Sequence, residues 1–195
     1  DSSISSQYIS SLILIAPKIE GGLEIEMIGK ETSLPYIEMT IDLLKIIGVS
    51  ATFQNNIISI SQKDKINSIE ITVEPDWSSA SYFYSIVSLA EIGYALELSN
   101  FKSYSIQGDK SVSKIFELFG VKTTFLDESI RLEKIAKSEK IINLDLSANP
   151  DLAQTIAVTC LALKISCKLI GLHTLKIKET DRIIALENEI KKFNV

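Results

Sequence analysis

Apolar residues recur along this chain with a strand-like period and a helix-like period, and the two alternate. Ile69 to Val73 alternates apolar with polar residues and is rich in β-branched side chains, which predicts a strand. Asp76 follows as a helix N-cap, and the helix runs through Ser78-Ser79-Ala80-Ser81-Tyr82-Phe83 to a stop at Gly93. Tyr94 to Leu98 predicts the next strand. Val112 to Phe119 carries apolar residues at helical spacing and ends at Gly120. Val121 to Phe125 and Ile130 to Leu132 predict a hairpin about Asp127-Glu128. The order is βαβαββ. Leu12 to Ile15, the most hydrophobic stretch, predicts a buried helix and is too short to span a membrane.

The pattern repeats. Gly48-Val49-Ser50-Ala51-Thr52-Phe53 and Gly120-Val121-Lys122-Thr123-Thr124-Phe125 lie 120 − 48 = 72 residues apart. The same offset aligns Ile57-Ile58-Ser59-Ile60 with Ser129-Ile130-Arg131-Leu132, and Ser6-Gln7-Tyr8 with Ser78-Ser79-Ala80. A third unit has a strand at Ile141 to Leu146, a helix from Asn149 or Pro150 to about Leu163, a strand at Cys167 to Leu172 and a helix from Thr180 to Phe193. Asn194-Val195 stands where the other units have Gly-Val. A leading strand before Asp1 and a closing hairpin after Val195 are missing from the pattern, which predicts a chain cut at both ends and inactive by itself. The expected fold class is α/β, with mixed α+β sheets, built from repeated βαβαββ units. Polar Gln62 to Ser68 predicts a link between two lobes. Residues 1–66 would be the last, partial unit of one lobe, and residues 67–195 one complete and one incomplete unit of the other.

Composition narrows the function. The 195 residues are 46% hydrophobic and 23% charged, which suits a globular protein with a real core. Net charge is −5, and Arg131 and Arg182 are the only arginines, which argues against a nucleic-acid partner. No apolar run or signal peptide points to a membrane. Cys160 and Cys167 read as buried, reduced thiols, which fits a cytoplasmic protein. One histidine, His173, and no second cysteine pair leave no zinc pattern.

The chemistry concentrates at helix starts. Ser5-Ser6-Gln7, Asp76-Trp77-Ser78-Ser79 and Asn149-Pro150-Asp151 each open the first helix of a unit. Free N–H groups and the positive helix end bind phosphate or carboxylate there. Capping accounts for one hydroxyl per helix; an anion site accounts for the whole cluster. Lys178-Glu179-Thr180-Asp181-Arg182 is denser. Thr180 or Asp181 can cap the helix that follows. Lys178 and Glu179 can exchange protons if each perturbs the other. Arg182, in the first turn, opposes the helix dipole and is better explained by a ligand carboxylate. Asp151 is a second candidate base. Ser33 and Tyr36, beside Pro35 at another helix start, have hydroxyls that could face the same ligand.

At these residues the sequence resembles the enolpyruvyl transferases, in the branch of the EPSP synthases (3-phosphoshikimate 1-carboxyvinyltransferases). The resemblance is carried by Ser5 to Ser10, Ser33 to Ile37, Glu74 to Phe83, Gln107-Gly108-Asp109, Pro150 to Ala157 and Lys178 to Arg182, in the family's order and over nearly the whole chain. It implies two lobes of three βαβαββ units each. It also implies transfer of the enolpyruvyl group of phosphoenolpyruvate to the 5-hydroxyl of shikimate 3-phosphate, with release of phosphate and with no metal or other cofactor.

By the same resemblance, Ser5, Ser6, Ser33 and Tyr36 hold the phosphate of shikimate 3-phosphate, and Gln7 touches both substrates. Asp151 binds the shikimate hydroxyls and accepts a proton. Lys178 binds shikimate 3-phosphate and shares in proton transfer. Glu179 and Arg182 face phosphoenolpyruvate. Asp76 lies near the lobe crossover. Thr174 stands where many members have Asn, and Glu74-Pro75-Asp76 replaces the commoner Glu-Gly-Asp, which stiffens the crossover. The family's N-terminal lysine and its C-terminal arginine and lysine are absent, so the remainder of the chain is an expected partner. The full-length protein would be a monomer. The rival readings are a transferase acting on a UDP-amino sugar, a non-catalytic repeat module, and an RNA-end-processing enzyme, the last disfavoured by the acidic balance.

Overall fold

In the computed structural model, which describes residues 5–29 and 32–193, the 72-residue repeat appears as two copies of one arrangement. The chain divides into two compact units, Asp1–Val73 and Glu74–Val195. The first holds α1 (Ser6–Ile15), a 3₁₀ turn (Ala16–Lys18), β1 (Leu23–Glu26), α2 (Leu34–Ile46), β2 (Ala51–Gln54) and β3 (Ile57–Ile60). Its antiparallel sheet runs β1-β3-β2. The second opens with α3 (Trp77–Leu89), β4 (Ala95–Ser99), α4 (Val112–Ile115) between 3₁₀ turns at Gly108–Ser111 and Phe116–Phe119, β5 (Val121–Phe125) and β6 (Ser129–Lys134). Its sheet runs β4-β6-β5.

Both sheets therefore place the last strand in the middle. The hairpin register is the same in both: Thr52 faces Ser59 and Thr124 faces Arg131, so both pairs keep the offset of 72 (124 − 52 and 131 − 59). The outer strand slips by one. Ile57 faces Glu26 and Ser129 faces Ser99, where 129 − 57 = 72 but 99 − 26 = 73.

The third repeat differs in kind. β7 (Ile141–Asp145), a 3₁₀ turn (Pro150–Leu152), α5 (Ala153–Leu163) and β8 (Ser166–Ile170) form a β-α-β crossover, and β7 pairs parallel with β8. A 3₁₀ turn (His173–Ile177) and α6 (Arg182–Lys191) follow. The Asn194-Val195 counterpart of Gly48-Val49 lies outside the described residues.

Each unit has its own core. Ile13, Ile37, Ile41, Leu44 and Ile58 centre the first. In the second, one core runs through both repeats, from Trp77, Tyr84 and Phe116 to Ile142, Leu152 and Ile156. Trp77 stands edge-on to Phe101, with centroids 4.9 Å apart. α3 and α5 meet along small hydroxyl residues. Ser81 Oγ lies 2.9 Å from Thr155 Oγ1, and Thr159 Oγ1 donates to Ser85 Oγ at 2.8 Å. Each helix supplies residues four apart, so one face of each carries both bonds.

Three local expectations change. Ile69 to Val73 forms no strand. Its alternation is strand-like, but a strand also needs a neighbouring edge to bond to, and none of its backbone groups pairs with one among the described residues. The helix that starts at Trp77 ends at Leu89, and Gly93, at φ +96°, turns the chain into β4 and donates to Lys134 O. Of the Leu12 to Ile15 run, only Ile13 is buried; Leu12, Leu14 and Ile15 are exposed.

The two repeat glycines offer a test. Gly48 and Gly120 both hold a left-handed φ, +79° and +73°. A Cβ on Gly48 would meet only the flexible Lys63 Nζ, at 3.0 Å, whereas one on Gly120 would lie 2.0 Å from the backbone oxygen of Ala136. Gly48→Ala should cost about 1–2 kcal/mol, the left-handed penalty alone. Gly120→Ala should cost more than about 3 kcal/mol, because backbone must move as well. Urea unfolding of the two variants checks the order, and equal losses would contradict the packing at Gly120.

Candidate active site

The Lys178 to Arg182 cluster is organised by the cap of α6. Asp181 Oδ1 accepts from the N–H groups of Ile183 (3.0 Å) and Ile184 (3.1 Å). Asp181 is thus the cap, and Lys178, Glu179 and Arg182 are left for other work. Arg182 uses the two sides of its guanidinium separately. Nε and Nη2 grip Glu179 Oε1 and Oε2 at 2.8 and 3.0 Å, and Nη1 donates to Asp151 Oδ1 at 2.9 Å. Lys178 Nζ approaches the same Asp151 oxygen at 3.8 Å. The structure therefore brings Asp151, Lys178, Glu179 and Arg182 into one charge cluster.

Two expectations gain detail here. The partner of Glu179 is Arg182, three residues on, and not the adjacent Lys178, which leans to Asp151 instead. The carboxylates that Arg182 holds are the protein's own. Hydrogen bonds from Arg182 keep the exposed Glu179 carboxyl below its ordinary value, and those same bonds raise Arg182. Asp151, Lys178 and Arg182 are partly shielded from water, at 29%, 14% and 29% side-chain exposure, so their attraction is less screened than that of a surface pair.

Asp151 sits in the turn Pro150–Leu152, and Thr174 in the turn His173–Ile177; the two turns pack together. Thr174 is buried, and its Oγ1 has no hydrogen-bond partner among the described residues. Such a hydroxyl is costly unless something bonds to it. Gly171 sets the approach to this turn: a Cβ there would lie 2.3 Å from Ser147 Oγ and 2.5 Å from Asp145 Oδ1.

Asp76 caps α3. Its carboxylate accepts from Ser78 N at 2.9 Å and Ser79 Oγ at 2.6 Å. Burial pushes its carboxyl up, but these bonds outweigh burial and leave it below its ordinary value. Cys160 is buried but Cys167 is exposed, as are Ser166, Lys168 and Ile170 of β8; burial, with Cys167 beside it, pushes the Cys160 thiol up to about 12.

The remaining candidates lie in the first unit. Ser5 caps α1, its Oγ accepting from Gln7 N at 3.3 Å. Ser6 is buried in the first turn, and Gln7 is exposed. Ser78, the counterpart of Ser6 at offset 72, donates to the carboxylate of Asp109; Ser6 has no side-chain hydrogen bond among the described residues. Ser33, buried at the start of α2, holds φ 55° and makes no capping bond. A left-handed serine without a capping role marks local strain. Tyr36 donates its N–H to Ser33 O at 3.1 Å. A bond from Thr40 Oγ1 to Ser10 Oγ ties α2 to α1.

In the sequence Asn149 stood only as part of a helix-start cluster and Asp109 only as part of the Gln107-Gly108-Asp109 segment, with no role for either, although both are buried and joined, Asn149 Nδ2 donating to Asp109 Oδ1 at 3.0 Å. The available signal was a mismatch between repeats: at offset 72, Asp109 stands where the first unit has Ile37.

The family described as EPSP synthase (3-phosphoshikimate 1-carboxyvinyltransferase) matches residues 1–195. A 3-phosphoshikimate 1-carboxyvinyltransferase of Bacteroides fragilis (strain YCH46) is 40% identical over 189 residues, which cover 97% of this chain and 46% of the relative. Another, of Histophilus somni (strain 2336), is 34% identical over 194 residues, covering 98% and 44%. Among solved structures, EPSP synthase from Acinetobacter baumannii matches with a TM-score of 0.65 at 20% identity, over 94% of this chain and 42% of its own; that likeness speaks for the fold. The chain thus spans less than half the length of these curated relatives. Among the described residues, no helix is long and apolar enough to cross a membrane.

The Arg182–Glu179 grip predicts a titration. A carboxyl depressed on folding keeps its contact at pH values above 4.5 and loses it as pH falls through the lower folded value. Arg182→Gln should return the Glu179 carboxyl toward 4.5. Carbon-13 NMR of the side chain reads this directly, and an unmoved titration would show that Arg182 is not its partner in solution.

Proposed function

Because the chain belongs to the EPSP synthase (3-phosphoshikimate 1-carboxyvinyltransferase) family, we propose that the protein carrying it transfers the enolpyruvyl group of phosphoenolpyruvate to the 5-hydroxyl of shikimate 3-phosphate. The observation that carries this reading is the Asp151 carboxylate, with Arg182 at 2.9 Å and Lys178 at 3.8 Å. A base, an ammonium and a guanidinium lie within reach of one another at the starts of α5 and α6.

In the addition step, the 5-oxygen bonds to C2 of phosphoenolpyruvate. The hydroxyl proton passes to Asp151, and C3 gains a proton from an acid of this cluster to become a methyl group. In the elimination step, C3 loses a proton and the C2–O bond to phosphate breaks, so an enolpyruvyl ether and phosphate leave. Lys178 binds shikimate 3-phosphate and shares in the proton transfers. Arg182 takes the carboxylate of phosphoenolpyruvate beside Glu179. Since Arg182 already holds two carboxylates, the ligand exchanges one anion for another and the guanidinium stays paired throughout.

Ser5, Ser6, Ser33 and Tyr36 receive the phosphate of shikimate 3-phosphate, with Gln7 beside both substrates. The Ser6 hydroxyl, which has no side-chain hydrogen bond among the described residues, and the strained Ser33 support that assignment. Thr174 offers its hydroxyl, unpartnered among the described residues, to the shikimate ring. Asp76, as the cap of α3, holds the lobe crossover. We assign the two units to different lobes of the enolpyruvyl transferase fold, and the full-length protein to the cytoplasm as a monomer.

Phosphate release from phosphoenolpyruvate and shikimate 3-phosphate by the full-length protein tests the reading. Asp151→Ala and Lys178→Ala should each lower the rate by roughly 10²- to 10⁴-fold, the usual worth of a positioned acid or base, with unchanged melting temperature. A near wild-type rate in either variant removes that residue from the site, and no phosphate release by the wild type defeats the assignment.

A further inference from the structure

The turn that carries Asp151 has little backbone holding it. Pro150 has no N–H, and the turn is closed by Leu152 N to Asn149 O at 3.2 Å and by Ala153 N to Pro150 O. Leu152 is fully buried in the core and fixes one side of Asp151. The other side is fixed by Asn149, whose side chain caps nothing on its own helix. It reaches instead across to α4's leading turn and donates to Asp109 Oδ1 at 3.0 Å.

Asp109 is 2% exposed, and its second oxygen accepts from Ser78 Oγ on α3. The same loop is bonded to the entry of α3 at three more places. Gln107 Oε1 accepts from Trp77 N at 2.9 Å, Gln107 Nε2 donates to Pro75 O at 2.8 Å, and Glu74 Oε1 accepts from Ile106 N at 3.2 Å. A continuous polar chain thus runs from Glu74–Ser78, through Gln107–Asp109, to the residue two before Asp151.

This chain is not something the repeat needs in order to fold. At the offset 109 − 37 = 72, the first unit has Ile37, fully buried in its core, and forms the same sheet order around it, with the single helix α2 where the second unit has α4 between two 3₁₀ turns. Burying a carboxylate where an isoleucine serves is a cost to stability unless the carboxylate specifies something. What Asp109 specifies, and Ile37 cannot, is the position of an amide in the next repeat.

We propose that Asp109 is a positioning residue for Asp151, acting through Asn149 to hold the Pro150–Leu152 turn where Asp151 meets Arg182 and Lys178. The inference rests on the functional reading above for its rate prediction, but not for its geometry. Asp109 touches no reacting atom; its effect is on where Asp151 stands.

The test uses three variants of the full-length protein. Asn149→Ala and Asp109→Ala cut the strut at either end. Asp109→Asn keeps it, because the new Oδ1 still accepts from Asn149 and the new NH₂ can donate to Ser78, whose hydroxyl turns. Each cut should lower kcat roughly 10- to 100-fold, as expected when a reacting group is misplaced by about 1 Å. KM for both substrates should change less than about threefold, and Asp109→Asn should restore kcat to within about threefold of wild type.

A second readout needs no substrate: hydrogen exchange of the Arg182 guanidinium, followed by NMR. It should speed up in Asn149→Ala and stay slow in Asp109→Asn. If the wild type releases no phosphate, the proposed function fails while this readout still decides the strut. The proposal is overturned if both cut variants keep kcat within about threefold, if KM takes the loss instead, if Arg182 exchange is unmoved, or if the cut variants fail to fold, which would make the role structural.

Discussion

The parallel pairing of β7 with β8 is the constraint from which the candidate site follows. Residues Ile141 to Asp145 run alongside Ser166 to Ile170, so both strands end on the same edge. The chain leaves each strand into a short 3₁₀ turn and then a helix. One turn brings Asp151, the other leads to Lys178 and Arg182. An antiparallel pair would send those turns to opposite edges. Open α/β sheets gather their chemistry at strand C-termini for this reason. Here the two turns pack together, and the ion pairs of Asp151 close the remaining gap.

Those ion pairs also explain how so many charges sit together in a partly shielded place. Arg182 opposes the dipole of its own helix, a placement that would weaken α6 if the guanidinium were unpaired. Glu179 and Asp151 offset it, one from the loop and one from another helix. The Asp181 cap then satisfies two of the N–H groups that open the helix. The cluster is thus balanced without a ligand, and every charge in it has a partner that a ligand group could replace.

What was legible in the sequence was what short stretches decide. Gly48 and Gly120 followed by β-rich residues announced the hairpins, and Asp76 before a helical run announced its cap. The resemblance supplied Asp151 and Lys178 to Arg182 as a set, and the structure brings them together. Less legible was whatever depends on residues far away in sequence. Ile69 to Val73 alternates as a strand does, but pairing needs a second edge. Leu12 to Ile15 is apolar throughout, but only the face packed on α2 is buried. The partner of Glu179 turned on direction: Arg182, three residues on, shares its side, while the adjacent Lys178 points toward Asp151. Asp109 came with the resemblance but without a role, because a single buried acid has no pattern, and the sister repeat shows it to be out of place.

The one-residue slip of the outer strand says something about how duplicated units diverge. Leu23-Glu24-Ile25-Glu26 matches Leu96-Glu97-Leu98-Ser99 residue by residue, although the helices before these strands and the hairpins after them match one position earlier. One more residue lies between helix and strand, and one fewer between strand and hairpin, so Leu96 meets Leu132 as Leu23 meets Ile60. Had the strand kept the offset of 72 instead, Leu96 would stand opposite Arg131, its leucines would face water and its glutamate the core, since neighbouring side chains in a strand point to opposite faces. In this pair of units the inherited quantity is which way a side chain faces, and the count of residues bends to preserve it.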